Sequence, residues 1–192
     1  MTKEKIVQAV MKIIAAEGMK GLTTRRICTE ANVAKGTLYH HFQNMDDLLL
    51  KSVKHISDKM MVSIEAMKFK DVEDFFTTIG LFAIDSVEQQ KKNGLRTMSV
   101  FDELINNPNL YKATQDVHRM WIDISTEKIM ALSPGNLSRE VAYEISMTFN
   151  IVVGGFKSIL YFQDDLEFVK KLWLKHAKQL AKYVNEEKWR EE

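Results

Sequence analysis

Apolar residues along this chain recur every three or four positions, the spacing of one face of an α-helix. Ile6, Val10 and Ile13, with Val7 and Ile14 beside them, predict a first helix over 3–17, closed by Gly18. Three short pieces follow: Thr24–Ala31, Lys35–His41 and a start near Asp46. Asn44 is placed to cap the third, with Asp47 in the capping-box position. Leu49, Val53, Ile56, Met60, Ile64 and Met67 then form a stripe to residue 68. Asp71 is a good N-cap for a helix over 72–92. There Val72, Phe75, Phe76, Ile79, Leu81, Phe82, Ile84 and Val87 leave little polar circumference, the pattern of a helix central to a bundle. Gly94 ends it, and a shorter helix is expected over 95–106. Asn107-Pro108 opens another, carrying Leu110, Thr114, Val117, Trp121 and Ile124. Ser133-Pro134-Gly135-Asn136 reads as a turn. Two long amphipathic helices, 138–162 and 166–187, finish the chain. The expectation is an all-α fold of about nine helices, short up to residue 44 and long after it.

Composition narrows this further. Two prolines and eight glycines in 192 residues argue against an all-β protein and against long flexible linkers. A single cysteine, Cys28, excludes an intrachain disulfide and a CxxC metal or redox motif, which fits a reducing, cytoplasmic compartment. No apolar run approaches the roughly 18–20 residues of a spanning helix. The stretch 6–16 contains Gln8 and Lys12, so it reads as amphipathic rather than as an export signal. The net charge of +1 excludes a polybasic tail or an acidic disordered chain. Residues 1–47 hold seven basic and five acidic side chains, a modest positive excess against a slightly negative remainder.

The most informative stretch is Leu22 to Leu49, LTTRRICTEANVAKGTLYHHFQNMDDLL, in which helix, tight turn and short helix follow one another. Thr23 or Thr24 caps the first of these helices, and Ile27 and Ala31 face a core. Asn32 stands where the chain turns sharply, and asparagine tolerates the left-handed conformation. Val33 fills the gap between the helices. Ala34-Lys35-Gly36-Thr37 opens the next helix, whose free N–H groups can meet a phosphate. Leu38 and Phe42 point inward, leaving Lys35, Thr37, Tyr39, His40 and His41 outside.

Over about 45 residues this pattern, T-x-x-x-I-x-x-x-A-x-V-x-K-G-T-L-Y-x-H-F followed by D-D-L-L, resembles the DNA-binding domain of the tetracycline-repressor (TetR) family of bacterial regulators. The remainder is similar only in length and helical organisation. The resemblance implies a helix-turn-helix domain over 1–47 and a helical ligand-binding and dimerisation domain over 48–192. It implies phosphate contacts from Thr24 and Arg25, and base-edge approach by Lys35, Gly36 and Thr37. Tyr39 and His41 would meet phosphate and sugar, and His40 either a base or a phosphate. Phosphate contacts set register and base contacts set sequence choice. The chain departs from the family pattern at the turn, where the usual glycine is Asn32. After the recognition helix, a common phosphate-binding lysine is replaced by Met45. Cys28 stands where alanine is frequent.

Other residues support blander readings. Adjacent helical residues point about 100° apart, so His40 and His41 do not readily share a metal, and His55, His118 and His176 show no ligand spacing. No metal or cofactor is expected, and Cys28 reads as a core filler. Phe75, Phe82, Met98, Phe101, Trp121 and Phe149 either fill the core or, as the resemblance suggests, line a pocket for a small apolar or amphipathic ligand. Arg96, Asp102, His118 and Arg119 are polar anchors for such a ligand or surface ion pairs. Val152, Gly155, Phe156, Trp173 and Leu180 lie on the two last helices, which form the dimer interface in the family. The expected function is a homodimeric transcriptional regulator, most often a repressor, bound to a pseudo-palindromic operator and modulated by ligand. The alternative is a DNA-bound protein of the same fold that recruits a protein partner and senses no ligand. No nucleophile-base-acid arrangement or phosphate-cradling glycine loop points to an enzyme, and no segment points to a membrane.

Overall fold

The computed structural model describes residues 2–92, 108–135 and 137–186. Eight α-helices occupy them: α1 (Thr2–Glu17), α2 (Thr24–Ala31), α3 (Lys35–His41), α4 (Met45–Ala66), α5 (Val72–Lys92), α6 (Pro108–Leu132), α7 (Arg139–Ile159) and α8 (Leu166–Asn185). A single 3₁₀ turn, Met19–Gly21, links α1 to α2. The described residues contain no strand. The all-α expectation holds, and the helix expected over 95–106 lies outside the described residues. No described helix is long and apolar enough to cross a membrane.

The chain divides into two compact units, residues 1–64 with 90–118, and residues 65–89 with 119–192. In the first, α1 to α4 enclose one apolar cluster. Ile6, Val10, Ile27, Leu38, Phe42 and Leu48 are at its centre, and Leu110 from the start of α6 belongs to it. Phe42 is buried to 1% exposure, and truncating such a core phenylalanine to alanine costs about 3–5 kcal/mol. Cys28, Val33 and Met45 pack partly buried against the same cluster.

Local chemistry fixes the helix boundaries. Thr23 caps α2, its side chain accepting from the Arg26 N–H at 3.3 Å. Asn32 ends α2 in the left-handed region at φ 52°, ψ 54°. Its N–H donates to the Thr29 carbonyl at 3.2 Å, and the Val33 N–H donates to Cys28 at 3.0 Å. The last carbonyls of α2 are thereby satisfied within a turn short enough to start α3 three residues after Asn32. At α4, Asn44 Oδ1 accepts from the Asp47 N–H at 2.8 Å. The Asp47 carboxylate reaches back one residue further than a capping box requires, accepting from the Gln43 N–H at 2.9 Å.

In the second unit α5 repeats that device. Asp71 accepts from the Asp74 N–H, and Asp74 accepts from the Lys70 N–H, both at 2.9 Å. Ser138 caps α7 through the Val141 N–H, and Asp165 caps α8 through the Phe168 N–H. The core is aromatic. Phe75, Phe76, Phe149 and Trp173 form a run of rings with centroids 4.9–5.9 Å apart. Such tilted and edge-on pairs add stability beyond their buried area. A small hydroxyl joins α6 to α7: Ser146, fully buried, donates to the Ile122 carbonyl at 3.0 Å, the same carbonyl that buried Thr126 meets from within α6 at 2.7 Å.

Candidate nucleic-acid interface

The exposed edge of the first unit is built by α2 and α3. Leu38 and Phe42 fix α3 by their burial, so the helical period turns Lys35, Gly36, Tyr39 and His40 outward, and all four are exposed. Thr37 and His41 are half-buried at the margins. The Lys35 ammonium lies over the Tyr39 ring, 5.8 Å from its centroid. The Tyr39 hydroxyl in turn meets the Thr24 hydroxyl at 3.3 Å. Lys35, Tyr39 and Thr24 are therefore one connected surface, joining the recognition-type helix to the first turn of α2.

The two arginines of α2 have different surroundings. Arg26 pairs with Glu17 across the 3₁₀ turn. Arg25 is exposed on the face that also carries Thr24. At Gly36 a methyl group would meet no atom within 4 Å, and no positive φ requires glycine there. The glycine leaves open space at the first turn of α3, which lets a partner backbone or base edge approach the N–H groups. His40 and His41 are edge-on at 5.3 Å. The His41 carbonyl accepts from the Lys51 amine at 3.5 Å, and Lys51 also pairs with Asp47 at 2.8 Å, which ties the end of α3 to the first turns of α4. That amine, with the Gln43 N–H, holds the Asp47 carboxyl below the usual carboxylate range.

A shallow cleft opens between these elements, lined by Thr24, Leu38, Tyr39, Phe42, Asn44, Met45 and Leu48. Met45 packs on the core cluster as well as lining this cleft. It thus supplies apolar contact where a lysine would supply a charge. The sequence marks Asn44 as a cap, and the cleft also gives it a place beside the same surface. Lys51 went unnoticed because its role is tertiary, and an (i, i+4) Asp47–Lys51 pair is its only trace in the sequence.

The candidates on the later helices are distributed differently. Phe75 and Phe149 meet at 5.6 Å in the core of the second unit. Phe82 is 46% exposed on the outer flank of α5 and joins none of that ring run. Trp121 is half-buried, and His118 and Arg119 are exposed. Met98, Phe101, Arg96 and Asp102 lie outside the described residues. Trp173 is fully buried within its own chain, so it serves the core and presents nothing to a partner. Phe156, half-buried, stands edge-on to it at 5.1 Å. Val152 and Leu180 are half-buried, and Gly155 is exposed with open space above it. Among the large exposed apolar side chains here are Ile151 on α7, Phe162 just beyond its end, and Phe168 and Leu172 on α8. The sequence does not single them out, because each adjoins another apolar or aromatic residue and the pattern alone does not say which of the two faces outward.

Residues 6–51 match the profile of the bacterial regulatory proteins, tetR family. A helix-turn-helix-type transcriptional regulator of Haemophilus influenzae is 34% identical over 73 residues, covering 38% of each chain. The regulator PksA of Bacillus subtilis is 30% identical over 70 residues, covering 36% of this chain and 34% of its own. The matched stretch thus spans little more than a third of either relative. In fold, the TetR-family regulator SCO4454 of Streptomyces coelicolor superposes with a TM-score of 0.71 at 18% identity, covering 95% of both chains.

Proposed function

We propose that this chain, whose residues 6–51 match the profile of the tetR family of bacterial regulatory proteins, is a helix-turn-helix transcriptional regulator that acts as a homodimeric, ligand-responsive repressor in the cytoplasm. The single observation behind the reading is the connected Lys35–Tyr39–Thr24 surface on α2 and α3, with Gly36 clear beside it. Thr24, Arg25, Tyr39 and His41 set the register on phosphates, and Lys35, Thr37 and His40 read base edges. The net charge of the first 47 residues is modest, so one domain binds weakly. Two copies on a pseudo-palindrome, with recognition helices about 34–36 Å apart, supply the affinity.

Ile151, Gly155 and Phe162 on and beyond α7, with Phe168 and Leu172 on α8, offer the apolar surface for that dimer. The ring-lined second unit, with Phe75 and Phe149 at its centre, suits an apolar effector. The effector needs only to favour one dimer geometry by about 1–3 kcal/mol to act as a switch. The test is selection of bound sequences from a random duplex pool, repeated at several salt concentrations. Enrichment of a palindrome with a steep salt dependence is the expected result. Enrichment of nothing, with or without metabolite extract, would overturn the reading.

A further inference from the structure

The face of α4 that begins with Leu48 and Leu49 continues into two polar side chains that each bury an atom without a hydrogen-bond partner. Ser52 is 2% exposed, and neither its hydroxyl nor the buried Nε2 of His55 has a partner. Residues three apart on a helix are neighbours, with Cβ atoms about 5–6 Å apart. Other helical hydroxyls in this chain return to the carbonyl one turn back, as Ser63 does to Lys59 and Thr114 to Leu110. Ser52 makes no such bond. A buried polar group left unmet is costly, so two on one face call for an occupant that meets them.

The chemistry of the occupant follows from the donors and their surroundings. A serine hydroxyl donates, and so does an imidazole with its proton on Nε2. Two donors one turn apart can both be met by a single oxygen acceptor. The neighbourhood favours a neutral one. Leu48, Leu49 and Leu110 belong to one buried apolar cluster. Glu4, within electrostatic reach of His55, would oppose a second carboxylate. The nearby amines of Lys51 and Lys59 are already engaged by Asp47 and Glu4.

We propose that Ser52 and His55 are the polar anchor for a small apolar effector carrying a neutral carbonyl group, a ketone, ester or amide. The inference rests on the effector-responsive reading above, but it places the anchor within the first unit rather than in the ring-lined second. The anchor lies on the helix that starts four positions after α3 ends, so a molecule held there acts directly on the support of the recognition helix.

Isothermal titration calorimetry on the full chain tests this with cyclohexanone, cyclohexanecarboxylate and methylcyclohexane as probes. Saturable binding of cyclohexanone, in preference to the other two, is expected. Ser52→Ala and His55→Phe should each weaken it about fivefold to tenfold, the worth of one hydrogen bond. Equal binding by the substituted chains, preference for the carboxylate or hydrocarbon, or no saturable binding overturns the proposal. Ser52→Ala should leave the urea midpoint without probe unchanged or raised. A lowered midpoint would mean that a resident water satisfies the hydroxyl, and would also overturn it. Duplex binding by the unsubstituted chain is measured in parallel. Its absence sinks the regulator reading itself, whereas intact duplex binding without cyclohexanone binding sinks only the anchor.

Discussion

Trp173 on α8 lies directly against Gly80 on α5, so that a methyl group built on Gly80 would overlap the Nε1–Cε2–Cζ2 edge of the indole. The indole N–H donates to the Thr77 carbonyl at 3.4 Å, one turn earlier on the same helix. The glycine thus makes the close crossing of α5 and α8 possible, and the indole locks it. Gly80→Ala should destabilise the chain by at least about 2 kcal/mol, since overpacking a rigid ring against backbone has no cheap relaxation. Trp173→Ala should cost about 3–5 kcal/mol. Urea denaturation followed by circular dichroism reads both, and a Gly80→Ala chain as stable as the parent would contradict the packing.

The docking surface makes a separate prediction. Lys35→Ala and Tyr39→Ala remove exposed side chains joined only to each other and to Thr24. Each should weaken duplex binding while leaving the unfolding free energy within about 0.5 kcal/mol of the parent, as surface changes do. The phosphate contact predicted for Tyr39 carries no charge, so its loss should leave the salt slope intact. Loss of Lys35 should shallow the slope by about one unit if it contacts phosphate, and relax base preference if it reads a base. Gel shifts over a salt series distinguish these outcomes. Full binding by both variants would move the interface elsewhere.

Asn32→Ala tests the turn. A left-handed residue other than glycine or asparagine costs roughly 1–2 kcal/mol, and Asn32 sits at φ 52°. Asn32→Gly should be neutral or slightly stabilising, and Asn32→Ala destabilising by about 1 kcal/mol. The order of midpoints, glycine at or above asparagine and both above alanine, is the check.

Acidification should act through two groups. Burial against Trp173 and Phe156 lowers the His176 pKa below the ordinary imidazole value. Its neutral form is the one the fold favours. That contribution is whole above the unfolded value of about 6.5 and is lost as pH falls below it toward the lower folded value. Asp47, held low by Lys51 and the Gln43 N–H, contributes above the unfolded value of about 3.9. Its share disappears only as pH falls through the lower folded value. His176→Gln should therefore flatten the stability profile just below neutrality, and Asp47→Asn should flatten it only in stronger acid. Denaturation midpoints across the pH range will separate the two windows.

Ile151→Asp and Phe162→Asp place charges on apolar side chains that are 67% and 75% exposed. Sedimentation equilibrium should show both variants as monomers, with duplex affinity falling together with the dimer. A dimeric Ile151→Asp chain would remove this face from the interface.

The helix order was legible because each element carries its own periodic stripe and stop signal. Thr24–Ala31 and Lys35–His41 fall where Thr23, Asn32 and the inward Ile27, Leu38 and Phe42 place them. The last two helices stop a few residues short of their expected ends. Leu160 and Phe162 extend the apolar pattern past the last helical turn of α7, and periodicity does not register the turn that follows. The outward face of α3 could be read because burial of Leu38 and Phe42 determines it. The burial of Trp173 could not, because its reason, Gly80, lies 93 positions away in the sequence. Exposure of Phe82 was equally hidden, since a helix apolar around most of its circumference does not announce which flank stays open.

Leu110 has a consequence for how freely the proposed DNA-reading head can be moved between proteins. It belongs to the same buried cluster as Ile6, Ile27, Leu38 and Leu48, although it follows the end of α3 by 69 positions. A graft of the first 47 residues onto a foreign sensor would leave that patch of the head wet. It would inherit the reading surface without the residue that seals its back. A transplant that carries α4 and the opening turns of α6 along with the head keeps the seal, and is the natural cassette for exchange.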